Sequence, residues 1–215
     1  ELGLYLIVPI FESVRDAVFF NTAVVLNPEG CVATHYRKMH IPQDPGFEEK
    51  FYFSPGDRGW PVFDTPWGRM GVLVCWDQWF PEAARMLALN GARVIFYPTA
   101  IGRLESESEG LGMRQHDAWE TVQRGHAIAN GCYIAATNRV GVEEETHFWG
   151  QSFVADFFGS VIARASADRE EALLAHLDFA SQDEHRRMWP FFRDRRIDAY
   201  GGLTQRIVDH DEQND

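Results

Sequence analysis

Three groups of side chains in this 215-residue sequence have types and settings suited to acyl transfer. Cys75 follows the apolar run Met70-Gly71-Val72-Leu73-Val74 and precedes a helix that opens near Pro81. Ligands of α/β sheets gather at the carboxyl ends of strands. A thiol there meets free backbone N–H groups and a helix dipole, both of which lower its pKa toward the thiolate. The plainer alternative is a small buried hydrophobe. Lys38 lies in Tyr36-Arg37-Lys38-Met39-His40 at the exit of a hairpin strand. Such a lysine is either solvated or a cation that stabilises negative charge developing on an oxygen. Glu48 and Glu49 stand among Phe47, Phe51, Tyr52 and Phe53, where a carboxylate suits general-acid or positioning work. A thiol, a cation and a carboxylate are the parts that nucleophilic acyl transfer needs.

Other reactive residues form no competing pattern. Cys31 and Cys132 read as structural residues within apolar strands, and three scattered cysteines make no disulfide framework. The eight histidines include no H-E-x-x-H, and no cysteine pair has metal-ligand spacing, so no metal is expected. With neither G-x-G-x-x-G nor a P-loop, no nucleotide cofactor is expected. A Cys–His–Asp hydrolase stays open, since such triads assemble in space and not in sequence.

The elements that must position these groups alternate between strand and helix. Leu4–Phe11 and Thr22–Leu26 read as strands, and the turn Asn27–Gly30 leads into Cys31–His35 as a hairpin partner. Residues 40–60 carry Pro42, Pro45, Gly46, Pro55, Gly56 and Gly59 and form a long ordered loop, a length usually tied to function. Gly68–Val74, the helix Pro81–Asn90 and Ala92–Tyr97 make a βαβ unit with parallel strands. Arg103–Gly110 reads as a polar loop. Met113, Ala118, Val122, Gly125 and Ala129 mark the inner face of a helix reaching Asn130. Strands follow at Cys132–Thr137, Gln151–Ala155 and Leu173–Leu177, with a hairpin-type turn at Asp156–Ser160. The tail from Ser181 reads as irregular, with a frayed polar run Asp209–Asp215 at its end. The whole is one α/β domain spanning residues 1–215.

Composition narrows the partners. Twenty basic against 32 acidic side chains leave a net charge of −12, which argues against nucleic acid as a partner. Hydrophobic content of 45% fits a globular protein, and no apolar stretch approaches the roughly 18 residues of a membrane span. Cysteine usage makes a reducing, cytoplasmic compartment the default expectation.

Three segments resemble the nitrilase superfamily of carbon–nitrogen hydrolases. They are Tyr36-Arg37-Lys38-Met39-His40-Ile41-Pro42, the stretch Pro45–Phe53 with Pro55-Gly56-Asp57, and Gly71–Arg85 around Cys75-Trp76-Asp77-Gln78-Trp79-Phe80-Pro81-Glu82. The last wording, with Tyr97–Gly102 and the C-terminal Trp189…Phe192-Arg193-Asp194-Arg195-Arg196, is similar to the branch that hydrolyses N-carbamoylputrescine. The resemblance implies a four-layer α-β-β-α sandwich, incomplete at the N-terminus, that pairs into homo-oligomers through a tail at residues 181–215. It implies that Cys75 is the nucleophile of a thioester-type intermediate, and that Lys38 and the Trp76 backbone N–H meet the oxyanion. Glu49 would position substrate and lysine, and His40, Gln78, Trp79, Ala100 and Ile101 would line a pocket for a small N-carbamoyl amine. No cofactor is implied.

One departure stands out. The superfamily's general-base glutamate falls upstream of the strand that begins here at Leu4, and Glu12 matches a different glutamate of the family. Residues upstream of Glu1 are therefore expected; without that base, turnover should fall by about 10²- to 10⁴-fold. The alternative is an inactive truncated paralogue that serves as an oligomer partner.

Overall fold

The computed structural model describes residues 2–208; Glu1 and the expected frayed run Asp209–Asp215 lie outside them. Strands β1 (Leu6–Arg15), β2 (Val18–Leu26) and β3 (Val32–Arg37) form an antiparallel meander. Then come β4 (Val62–Thr65), β5 (Gly68–Val72), helix α1 (Pro81–Leu89), β6 (Val94–Thr99), β7 (Gly102–Leu104) and helix α2 (Glu109–Asn130). They are followed by β8 (Tyr133–Asn138), β9 (Val140–Glu143), β10 (Thr146–Trp149), β11 (Phe153–Ala155), β12 (Val161–Arg164) and helix α3 (Phe179–Met188). The main sheet has the order β12-β11-β8-β6-β5-β4, and a small sheet runs β7-β10-β9.

The centre of the main sheet is parallel, β5 to β6 and β6 to β8, as the βαβ spacing predicts. Pro81 opens α1, where a missing N–H costs nothing, and Gly91 just beyond its end takes φ +97°, a conformation that suits glycine. Ala83, Ala84 and Leu87 of α1 join Trp119 and Ala127 of α2 in one buried cluster with Ile95, Tyr97 and Ile134 of the sheet. Ala23, Val25 and Tyr36 of the first sheet belong to the same core. On the main sheet's other face lies a cavity of about 1000 Å³, lined by Phe63, Met70 and Phe96 on one side and Ile7 and Pro9 of β1 on the other, with Tyr5 bridging to Phe63. Helices, sheet and second sheet thus stack in the order of an α/β sandwich.

Several elements differ from the sequence reading. Helix α2 buries Gly112, Trp119, Gln123, His126, Ala127 and Asn130, while Met113, Ala118, Gly125 and Ala129 face outward. Its inner face is polar because it satisfies backbone: His126 Nε2 lies 2.8 Å from Gln78 O, and Asn130 donates to His126 O. Residues 103–110 are not all loop, since Arg103 and Leu104 pair with β10. Leu173–Leu177 has no ladder partner among the described residues. Leu173 instead borders the cavity between the sheets, and Leu177 packs against Val94 and Tyr133.

The tail is also more ordered than expected, because α3 is a polar helix held by hydrogen bonds instead of an apolar stripe. Asp178 caps it through Ser181 N at 3.0 Å, and Arg93 binds Gln182, Asp183 and the Phe179 carbonyl. Cys31 is exposed in the β2–β3 turn, its N–H donating to Asn27 Oδ1, so it is not a buried strand residue. No helix among the described residues is long and apolar enough to cross a membrane.

The end of β3 is fixed by an arginine. Arg37 makes a two-point pair with Glu12 (2.6 and 2.9 Å), binds Asp57 at 2.8 Å, and lies 4.0 Å over the Phe20 ring. The guanidinium holds the Glu12 carboxyl far below its ordinary 4.5, down to about 2, with help from the Thr22 hydroxyl. A carboxylate with a depressed folded pKa adds stability above its unfolded pKa and loses it as pH falls through the folded one. Urea unfolding of Glu12→Gln should therefore trail the native protein near neutral pH, with the gap closing as pH falls from 4.5 toward about 2. A gap of constant size across that range would contradict the Arg37 clamp.

Candidate active site

Lys38 follows directly from the Arg37 clamp and is completely buried. A buried ammonium is tolerated only with a partner, and Glu49 supplies it, with Lys38 Nζ 2.7 Å from Oε1 and 2.8 Å from Oε2. Asn21 Nδ2 adds a third hydrogen bond to that carboxylate at 3.1 Å. Lys38 N donates to Asn21 O and Lys38 O accepts from Gly56 N, both at 2.8 Å. A Cβ on Gly56 would sit 2.0 Å from Arg37 O, so only glycine allows the 40–60 loop to press on the lysine's backbone. Glu48, the other carboxylate of that pair, turns away and accepts from Gly46 N.

Cys75 ends the β5 strand path and opens a 3-10 helix, Cys75–Trp79. Its φ of +45° is strained for a residue with a side chain, a feature that clusters at functional sites. The N–H groups of Cys75 and Trp76 fall in the first turn of that helix, where no intrahelical acceptor exists. Burial pushes the Cys75 thiol pKa up, and the Glu49 and Asp77 charges add to that; the Lys38 charge and a backbone hydrogen bond at Ala100 pull the other way. This corrects the expectation of a depressed pKa, because desolvation outweighs the cation.

Asp77, two residues on, joins the two halves. It is completely buried and accepts from Val74 N (2.9 Å), Tyr36 Oη (2.9 Å) and His40 N (3.1 Å), with His40 Nδ1 at 2.7 Å. Tyr36 Oη in turn accepts from Met39 N at 3.1 Å. One carboxylate therefore ties the nucleophile turn to the strand exit that carries Lys38. Asn138 does similar work at the end of β8: its amide accepts from Ile101 N and donates to Ile101 O and Gly150 O, fixing the 100–101 loop beside the thiol. Neither Asp77 nor Asn138 stands out in the sequence as a site residue; the spacing Cys-x-Asp and a polar residue at a strand end were the available signals.

Cys75 borders two spaces. One is the cavity between the sheets, which Glu49 and Asn21 also line; Glu49 is the only carboxylate that the described residues contribute there. The other is a pocket of about 460 Å³ lined by Phe47, Trp76, Trp79, Ala100, Ile101 and Trp149, with Asp44 and Glu107. The structure thus brings Lys38, Glu49, Cys75, Trp76, Trp79, Ala100 and Ile101 together. Two expected pocket residues lie elsewhere. Gln78 is completely buried, its Oε1 accepting from Trp119 Nε1 and Thr99 Oγ1, because the 3-10 turn points it toward α2. His40 stacks on Phe80 at 3.8 Å and turns its ring to Asp77. Among the described residues, no three His, Cys, Asp or Glu side chains converge as a metal site.

Residues 1–187 match the family model for carbon–nitrogen hydrolases. The chain is 44% identical over 208 residues to N-carbamoylputrescine amidase of Solanum tuberosum, covering 93% of this chain and 68% of that one. It is 41% identical over 191 residues to citrullinase of Francisella tularensis, covering 87% of this chain and 66% of that one. A solved carbon–nitrogen hydrolase from Helicobacter pylori superposes with a TM-score of 0.93 at 51% identity, covering 96% of this chain and 73% of that one. A strand-end cysteine beside a buried lysine–glutamate pair, on a sandwich that superposes this closely, makes the chain a member of the carbon–nitrogen hydrolase family.

Proposed function

We propose that the protein hydrolyses the carbamoyl C–N bond of an N-carbamoyl amine, with N-carbamoylputrescine yielding putrescine, carbon dioxide and ammonia. The observation that carries this reading is the ion pair of the fully buried Lys38 with Glu49, whose carboxylate lines the same cavity as Cys75. A ureido carbon is a poor electrophile, so its attack needs both a strong nucleophile and a fixed positive charge at the carbonyl oxygen. The two relatives named for ureido substrates support the class.

In this reading Cys75 Sγ attacks the ureido carbon and its proton leaves with the departing nitrogen as ammonia. Negative charge on the carbonyl oxygen is met by Lys38 Nζ and the Trp76 N–H. The resulting alkylthiocarbamate is opened by water, which returns the proton to sulfur and releases a carbamic acid that loses carbon dioxide. Glu49 keeps both oxygens on Lys38, so it orients the lysine and does not carry the thiol proton. Trp79, Ala100 and Ile101 bound the substrate's path. The three cysteines are free, which fits a reducing, cytoplasmic setting. The outward face of α2, with Met113 and Ile128 exposed, suits a homo-oligomer contact. A second reading, citrulline or another N-carbamoyl amino compound, is favoured by the 41% identity to citrullinase.

Incubation with N-carbamoylputrescine should release ammonia and putrescine in equal amounts, and Cys75→Ala should release neither. Lys38→Met should lower kcat by about 10²- to 10³-fold, the cost of one lost oxyanion donor. Turnover by Cys75→Ala at the native rate would overturn the nucleophile. Faster ammonia release from citrulline than from N-carbamoylputrescine would favour the second reading, and release from simple aliphatic amides alone would overturn the ureido class.

A further inference from the structure

The 460 Å³ pocket at Cys75 has a one-sided charge. Its lining holds two carboxylates, Asp44 and Glu107, and no lysine, arginine or histidine. Asp44 is exposed at the mouth, whereas Glu107 is half-buried and fixed: Leu104 N donates to Oε2 and Gln115 Nε2 donates to Oε1, each at 2.8 Å. The neighbouring Arg103 guanidinium points to the carbonyl oxygens of Leu104 and Glu107, at 3.4 Å each, and not to the carboxylate. Glu107 has no ion-pair partner among the described residues.

A second acceptor sits in the same wall. Because Gln115 gives its N–H to Glu107, its Oε1 is left buried and without a hydrogen-bond partner. An unsatisfied buried acceptor beside an unpaired, oriented carboxylate is costly in a site with nothing to bind. An ammonium, with three donors and no acceptor, pairs with the carboxylate, while Gln115 holds that carboxylate in place through its Nε2. Trp76, Trp79 and Trp149 enclose the same space, and indole faces attract a cation. A carboxylate-ended tail would meet the like charges of Asp44 and Glu107, with the buried indole N–H groups of Trp79 and Trp149 as the unpaired donors of the lining.

We propose that Glu107, held in place by Gln115 Nε2 and Leu104 N, is the specificity-determining residue that holds the terminal ammonium of a substrate whose carbamoyl carbon lies at Cys75. This rests on the ureido-hydrolase reading above and adds what selects the far end of the substrate: a primary ammonium on an aliphatic tail.

The test compares N-carbamoylputrescine with N-butylurea, a near-isostere that lacks the charge. The native protein should favour the charged substrate in kcat/KM. Glu107→Gln, which keeps an oxygen to accept from Leu104 N, should lower the charged-to-neutral ratio by roughly 10- to 100-fold, mainly through KM. A ratio unchanged from the native value, whether both activities fall together or neither falls, would overturn the proposal and leave Glu107 a loop-fixing residue. If neither ureido compound is turned over by the native protein, the reaction reading fails, and binding then decides Glu107 separately. 1,4-Diaminobutane should quench the tryptophan fluorescence with an affinity at least about tenfold weaker in Glu107→Gln; equal affinity in the two proteins would overturn the assignment.

Discussion

The buried carboxylate of Asp77 is the interaction on which the site depends. Lys38 and Cys75 come from different sheets, one at the exit of the β3 hairpin and the other at the end of β5. Hydrophobic burial packs those sheets but does not fix one strand end against another to a fraction of an ångström. Directional bonds do, and Asp77 takes Val74 N from one side and Tyr36 Oη and His40 N from the other. With its oxygens engaged in hydrogen bonds, a fully buried anion becomes tolerable and turns into a joint. The Arg37 clamp with Glu12 and Asp57 braces the same strand exit from outside.

The electrostatics of the centre follow from burial. Lys38 has no contact with water, so its charge is screened only by Glu49 and acts on its surroundings at low dielectric. The same dryness raises the Cys75 pKa, and the two effects oppose each other at the sulfur. The positive φ at Cys75 is the backbone counterpart of this arrangement, strain held in place by the Asp77 bonds to the preceding residue.

Much of this was legible in the residues, and the misses share a cause. The βαβ unit, the strand-end cysteine, the strand-exit lysine and the carboxylate in the proline-rich loop are local patterns, and the structure places them where local rules put them. Helix α2 misled because its buried face is built from Gln123, His126 and Asn130 as well as Trp119, and apolar periodicity cannot detect a face that is buried to make hydrogen bonds. Helix α3 was invisible for the same reason: Arg93, Gln182 and Asp183 dock it, not leucines. Leu173–Leu177 has strand composition, but a ladder needs a neighbour that composition does not report. Resemblance puts Gln78 in the pocket, and only the turn geometry shows that it points into the core. Asp77 and Glu107 required three-dimensional partners to be noticed at all.

The claim that Asp77 acts by placing Lys38 against Cys75 can be tested without turnover. The rate at which iodoacetamide alkylates Cys75, followed on its own peptide because Cys31 is also exposed, reads how strongly the lysine favours the thiolate. Lys38→Met should slow it. Asp77→Asn should slow it as well, because losing the placement of Lys38 outweighs losing the Asp77 charge, which by itself raises the thiol pKa. The double variant should be no slower than the slower single one. Losses that multiply in the double variant would show that Asp77 and Lys38 act independently, and would contradict the account.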